Sequence, residues 1–256
     1  MVWNIISTIL IVLGIAVGAV VVIYLAVWLI TPMFISKKVM TYDHNSKFYR
    51  WLLNSSTGIA MKILRVKIRT TGFDKIPDGR FLLVCNHRSN FDPIISWYAL
   101  RKYEPAFISK PENFNVFLYG RIIRKCCFLP IDRTSPRNSM KTILDAVDLI
   151  KRDEVSIVVY PEGTRSKRLK LLKFHAGVFK IAQKANVPIV VATIQGGETI
   201  KDRYPWRRSY IDIDVLDVFD CNKVKSNTSE QLSDDARALM LAKLEPEASP
   251  EAAPEE

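Results

Sequence analysis

The sequence predicts an α/β fold: a single domain whose mixed, largely parallel sheet is flanked by helices and preceded by an N-terminal membrane helix. Three observations carry this expectation. Between residues 65 and 244, short runs of strand type take turns with longer runs of helical spacing. Residues 5–30 contain no charged side chain. No internal repeat and no Gly-x-Gly-x-x-Gly loop breaks the alternation in the 256-residue chain.

The N-terminal run IISTILIVLGIAVGAVVVIYLAVWLI would form a helix about 39 Å long, more than the roughly 30 Å hydrocarbon core of a bilayer. A cleaved signal would begin with a basic region, whereas the first basic residue here is Lys37, so a retained membrane helix is expected. Lys37, Lys38, Lys47 and Arg50 follow it, opposed by Asp43 alone, which by the positive-inside rule keeps the bulk of the chain on the cytoplasmic face. A second apolar stretch, residues 48–64, is interrupted by Asn54-Ser55-Ser56-Thr57-Gly58. It reads equally as an interfacial or re-entrant element and as an ordinary core helix. Residues 1–64 are therefore expected to form the membrane-anchoring helices and residues 65–244 the α/β domain.

Within that domain, residues 65–70 alternate with period two, as in a half-exposed strand. Residues 81–85 (FLLVC) and 155–160 (VSIVVY) are continuous apolar runs typical of buried strands. Helices are expected over residues 93–103, 139–152 and 177–185, and further strands over 106–109 and 188–194. Residues 210–219 alternate cleanly and are assigned to an edge strand. Thr228-x-x-Gln231 reads as a capping box opening a last helix to Leu244. Residues 245–256 (EPEASPEAAPEE) have the composition of a disordered acidic tail. The tail carries five Glu and no Lys or Arg, so the overall +11 divides into +16 for residues 1–244 and −5 for the tail. Four cysteines, two of them adjacent, exclude a disulfide-stapled miniprotein.

Two polar clusters follow buried strands, where sites collect in open α/β sheets. The first is Asn86-His87-Arg88-Ser89-Asn90-Phe91-Asp92-Pro93. Asp92 before Pro93 resembles an N-cap with proline at the first helical position. His87 and Asp92 lie five residues apart, about 140° around a helix, so they could not share a helix face. With His87 in the turn, the carboxylate can fold back to the imidazole and prepare it to accept a proton from a hydroxyl. A cap beside an unrelated polar turn residue is the plainer alternative. The second cluster is Tyr160-Pro161-Glu162-Gly163-Thr164-Arg165-Ser166, followed by Lys167, Arg168, Lys170 and Lys173. Gly163 permits close backbone approach, Thr164 and Ser166 supply hydroxyls, and Arg165 offers a fork for phosphate. A solvated polar turn is again the alternative.

These residues, with Gly120, Ile131-Asp132-Arg133 and Val187-Pro188-Ile189 in the same order, resemble the 1-acylglycerol-3-phosphate acyltransferase family of the wider glycerolipid acyltransferases. The resemblance covers about residues 65–220. It implies transfer of a fatty acyl group from a thioester, acyl-CoA or acyl-carrier protein, to the free sn-2 hydroxyl of lysophosphatidic acid, giving phosphatidic acid at a bilayer. His87 would be the general base and Asp92 its partner. Arg133 would bind the acceptor's phosphate, and Asn86, Glu162, Gly163, Thr164, Arg165 and Ser166 would complete the substrate site. Neither a metal nor a cofactor is implied. The chain departs from the family pattern at Val190-Val191-Ala192, where a second proline is frequent, and at His175, where lysine is common.

Three competing readings remain at this stage. Cys85 would share a strand face with His87 and could carry the acyl group as a thioester. A hydrolase could use the same His-Asp pair on water. A non-enzymatic basic protein could bind a membrane surface, or nucleic acid through Lys201-Asp202-Arg203-Tyr204-Pro205-Trp206-Arg207-Arg208. The nucleic-acid reading leaves the membrane helix and the ordered motifs unexplained, and no nucleic-acid partner is expected.

Overall fold

The structure is a computed structural model that describes residues 1–132, 134–166 and 170–245. Helix α1 (Val2–Ile30) projects with none of its residues buried, and a short 3-10 turn (Thr31–Phe34) continues it. By length and composition it can cross a membrane.

Helix α2 (Lys47–Ile63) runs without a break through the polar interruption. The hydroxyls of Ser55, Ser56 and Thr57 donate to the carbonyls of Leu52 and Leu53 one turn back, so the helix satisfies them internally. Leu52, Leu53 and Met61 are buried in the main core, while Phe48, Trp51, Ile59 and Ile63 stay exposed. The element is thus a core helix with an apolar outer face. Arg50, counted from sequence among the charges flanking the membrane helix, is buried: it donates to Asn45 Oδ1 and to the Pro105 carbonyl, and lies 4.7 Å over the Trp97 ring. Physically α2 packs into the α/β body, so the expected division at residue 64 cuts through one core.

The body continues as β1 (Val66–Thr71), β2 (Leu82–Cys85), α3 (Asp92–Ala99), β3 (Pro105–Ser109), α4 (Tyr119–Lys125), β4 (Leu129–Pro130), α5 (Pro136–Lys151), β5 (Ser156–Val159), α6 (Lys180–Ala185), β6 (Ile189–Gln195), α7 (Ile200–Arg203), β7 (Ser209–Phe219), α8 (Cys221–Ser226) and α9 (Ser229–Leu244). The seven strands lie in the order β1-β7-β6-β2-β5-β3-β4. All neighbours are parallel except β6 and β7. The mixed, largely parallel sheet is the one expected. The central strands β2 and β5 are buried on both faces, which is why they read as unbroken apolar runs.

Strand β7 corrects the sequence reading. It is not an edge strand, because β1 pairs with it on the outside. Its alternation arises because Ser209, Ile211, Ile213 and Val215 face inward while the residues between them are half-buried or exposed. The capping box forms as read: Thr228 Oγ1 accepts from Gln231 N, and Gln231 Oε1 accepts from Thr228 N.

Sheet order fixes which face each helix occupies. The chain moves toward the β4 edge through α3 and α4, then returns through α5 and α6. Right-handed crossovers in opposite directions place α3 and α4 on one face and α5 and α6 on the other. Helix α2 packs on α3 and α4, so α1 and α2 join the first face. The carboxyl ends of β2, β3 and β5 converge at one end of the sheet, where the two polar clusters sit.

Candidate functional site

At the end of β2 the chain passes through Asn86 into His87. Asn86 is fully buried, and its amide bridges both backbone groups of Ile194, accepting from the nitrogen at 2.8 Å and donating to the oxygen at 3.0 Å. It continues the sheet ladder by a side chain and has no surface left for a ligand. In this structure it acts as a strut that ties the end of β2 to β6.

His87 Nδ1 lies 3.0 Å from Asp92 Oδ2. The same oxygen accepts the backbone N–H groups of Arg88 and Ser89 at 2.7 and 2.6 Å. Asp92 is therefore not the N-cap read from sequence. It is the first helical residue, and its carboxylate turns back to gather the loop before it instead of capping α3. The carboxylate is 1% exposed and the imidazole 17%, so one is sealed and the other reaches a cavity. Gly197 is missing from the sequence reading: a Cβ there would stand 2.6 Å from Asp92 Oδ1, so any larger residue would displace that carboxylate.

The second cluster grips the first. Glu162 Oε1 accepts His87 N–H at 2.7 Å, and Oε2 accepts Leu172 N–H at 2.9 Å. Ser166 N–H donates to the His87 carbonyl at 2.8 Å. Both backbone groups of His87 are thus held by residues some 75 positions away in sequence. Burial pushes the Glu162 carboxyl upward, and the amides of Leu172 and His87 pull against that shift. Glu162 and Ser166 are 3% and 2% exposed. They hold the loop and are not among the residues that line the cavity described next. The imidazole also stacks on Tyr160, with ring centres 4.4 Å apart, and Tyr160 donates to Ser96 Oγ at 3.3 Å.

His87, Gly163, Thr164 and Arg165 line one cavity of about 420 Å³. Its rim also carries Asn90, Asn113 and Lys110, and its floor is built from Phe107, Ile108, Ile123 and Phe128. Lys110, which follows directly on β3, is a second cation that sequence reading passed over; its position at a strand's carboxyl end was the available signal. Arg133 lies outside the described residues, as do Lys167, Arg168 and residues 246–256 of the tail.

A second, apolar cavity of about 220 Å³ shares Pro93, Ile94, Tyr119 and Phe128 with the first and reaches Trp28 of α1. Cys85 does not line either. It is 1% exposed, and burial pushes its thiol well above the ordinary range, both of which argue against a covalent thiol route. Segment 201–208 exposes Tyr204 and Trp206 but contributes nothing to the cavity.

Comparison with known proteins gives these features a context. A 1-acyl-sn-glycerol-3-phosphate acyltransferase of Streptococcus pneumoniae is 30% identical over 159 residues, covering 61% of this chain and 57% of that protein. One of Chlamydomonas reinhardtii is 27% identical over 235 residues, covering 89% of this chain and 69% of that protein. The chain thus spans a little over half to two thirds of these relatives' length. The crystal structure of the 1-acyl-sn-glycerophosphate acyltransferase of Thermotoga maritima superposes with a TM-score of 0.60 at 21% identity, covering 86% of this chain and 89% of that one, and shows the shared fold. The acyltransferase family model matches residues 67–195, half of the sequence and both polar clusters; the chain belongs to the acyltransferase family.

Proposed function

We propose that the protein transfers a fatty acyl group from an acyl thioester to the sn-2 hydroxyl of 1-acylglycerol-3-phosphate, giving phosphatidic acid. The observation that carries this reading is the His87–Asp92 pair opening on a cavity with cations at its rim and an apolar floor. The names of the relatives, all acyltransferases for this acceptor, support it.

The proposed steps follow from the hydrogen bonds. Asp92 Oδ2 is an acceptor, so Nδ1 of His87 carries the proton and Nε2 is left as the basic nitrogen. Nε2 takes the proton from the acceptor hydroxyl as its oxygen bonds to the thioester carbonyl carbon. The tetrahedral intermediate collapses, the carbon–sulfur bond breaks, and the imidazolium gives its proton to the departing sulfur, so that a thiol leaves and His87 is neutral again. Asp92 stabilises that imidazolium without itself taking a proton. Arg165 and Lys110 stand at the rim, where the acceptor's phosphate needs charge-assisted partners. Arg133 is assigned the same task from the family pattern. The apolar cavity toward Trp28 suits an alkyl chain arriving from the side of α1. In this reading α1 anchors the protein in a bilayer, with the catalytic body on the cytoplasmic face and a phosphopantetheine-bearing donor, either acyl-CoA or acyl-carrier protein, arriving from water. The protein's own residues suffice, with neither metal nor cofactor.

Thiol release from an acyl thioester, measured with purified protein with and without lysophosphatidic acid, tests the reading. Release that depends on acceptor and matches formation of a diacyl product supports transfer. Release unchanged by acceptor means that water is the acceptor and contradicts it.

A further inference from the structure

The loop before α4 pushes two apolar side chains into solvent, Val116 at 50% and Phe117 at 79% exposure. It is not a slack loop. Phe114 is buried to 1%, and Arg124 donates to its carbonyl at 2.7 Å. Gly120 packs against that same carbonyl so closely that a Cβ would collide with it. Leu118 adopts φ +58°, a backbone region costly for a side chain with a Cβ. Tyr119 and Gly120 close the turn by donating to the carbonyls of Phe117 and Val116. A turn fixed at so many points, and strained at Leu118, holds Phe117 outward by construction.

Its position says what the outward side chains meet. Arg121, in the first turn of α4, donates to the Pro32 carbonyl at 3.1 Å, which places the loop beside the 3-10 turn ending α1. That turn exposes Met33 at 68% and Phe34 at 84%. Four large apolar side chains therefore flank the base of a helix that carries no charged residue and is predominantly apolar. The same loop also walls the catalytic cavity, through Lys110, Asn113 and Tyr119.

We propose that Val116 and Phe117 insert into the surface of the bilayer that receives α1, so that the mouth of the His87 cavity opens directly onto lipid. The inference rests on the reading of α1 as a membrane anchor. It adds a second point of insertion, and two points fix the tilt of the body where one helix alone leaves it free to swing. A lysolipid could then bring its headgroup to Lys110 and Arg165 while its chain stays in an apolar phase. A soluble protein partner fits less well, because the contact would have to form beside an apolar helix that itself demands lipid.

Site-directed fluorescence on the full chain tests this. Cys85, Cys126 and Cys127 are buried, so a Cys221→Ser background leaves a single reactive thiol at Phe117→Cys, at Val17→Cys in α1, or at Lys225→Cys in α8 on the opposite side of the body. With an environment-sensitive dye and vesicles of phosphatidylcholine and phosphatidylglycerol carrying spin-labelled lipid, the dye at 117 is expected to shift to the blue and to be quenched. The dye at 225 should remain as in water. A dye at 117 that behaves like the one at 225 overturns the proposal. If the dye at 17 is quenched in that case, the anchor survives alone; if it is not, the membrane reading of α1 falls too. In parallel, Phe117→Ser should raise the apparent KM for acceptor presented in vesicles several-fold and leave that for a monodisperse short-chain acceptor unchanged. Equal effects on both, or none on either, count against it.

Discussion

At His87 the environment decides what the side chain can do. A carboxylate with one oxygen shared among three N–H donors cannot rotate, so the imidazole bonded to it has one orientation and one tautomer. Gly197 gives that carboxylate its room. Gly197→Ala should push Asp92 away from His87 and lower kcat about tenfold or more, with acceptor KM nearly unchanged; steady-state kinetics at a thermal midpoint close to wild type would show it. Arg165→Ala removes a cation from the rim and should raise acceptor KM about tenfold to a hundredfold, the equivalent of one charge-assisted hydrogen bond. An unchanged acceptor saturation curve would remove Arg165 from phosphate binding. Much of this was legible in sequence, because His87, Asp92 and the 160–166 cluster sit in local motifs. What sequence could not show is which members line the cavity and which are buried behind it. Asn86, Glu162 and Ser166 share motifs with His87 or Arg165 yet are buried, and only the sheet's three-dimensional closure determines that.

Among the elements, β2 and β5 present the two clusters side by side, and α2 ties the N-terminal region to the body. If α2 belongs to the core, Leu52→Ala should cost about 2–5 kcal/mol of stability in chemical denaturation of the detergent-solubilised protein. A loss near zero would make α2 a peripheral attachment. Strands with apolar runs and helices with strong periodicity were readable because burial imposes those patterns on composition. Strand β7 was misplaced at the edge because alternation reports how one face is covered and not where a strand sits in the sheet. The two-residue β4 and the seven-residue α4 escaped notice because neither is long enough to show a period. In α2 the serines suggested a break, but their hydroxyls found carbonyls within the helix.

Across the whole molecule, an apolar helix and a body of net charge +16 stand together, with five further glutamates in residues 245–256. Such a body is attracted to an anionic bilayer and to an anionic donor alike, so charge favours encounter without selecting the substrate. In the proposed reading selection falls to the cavity, where Lys110, Arg165, His87 and an apolar floor lie within one space. The central claim is that this space carries acyl transfer through His87. Its most direct test is the formation of labelled phosphatidic acid from labelled acyl thioester and lysophosphatidic acid, compared between the wild-type protein and His87→Ala at matched thermal stability. The account predicts product from the wild type and a loss of about a hundredfold to ten-thousandfold in the variant, the contribution of a general base. Near-wild-type product formation by a folded His87→Ala protein would contradict it.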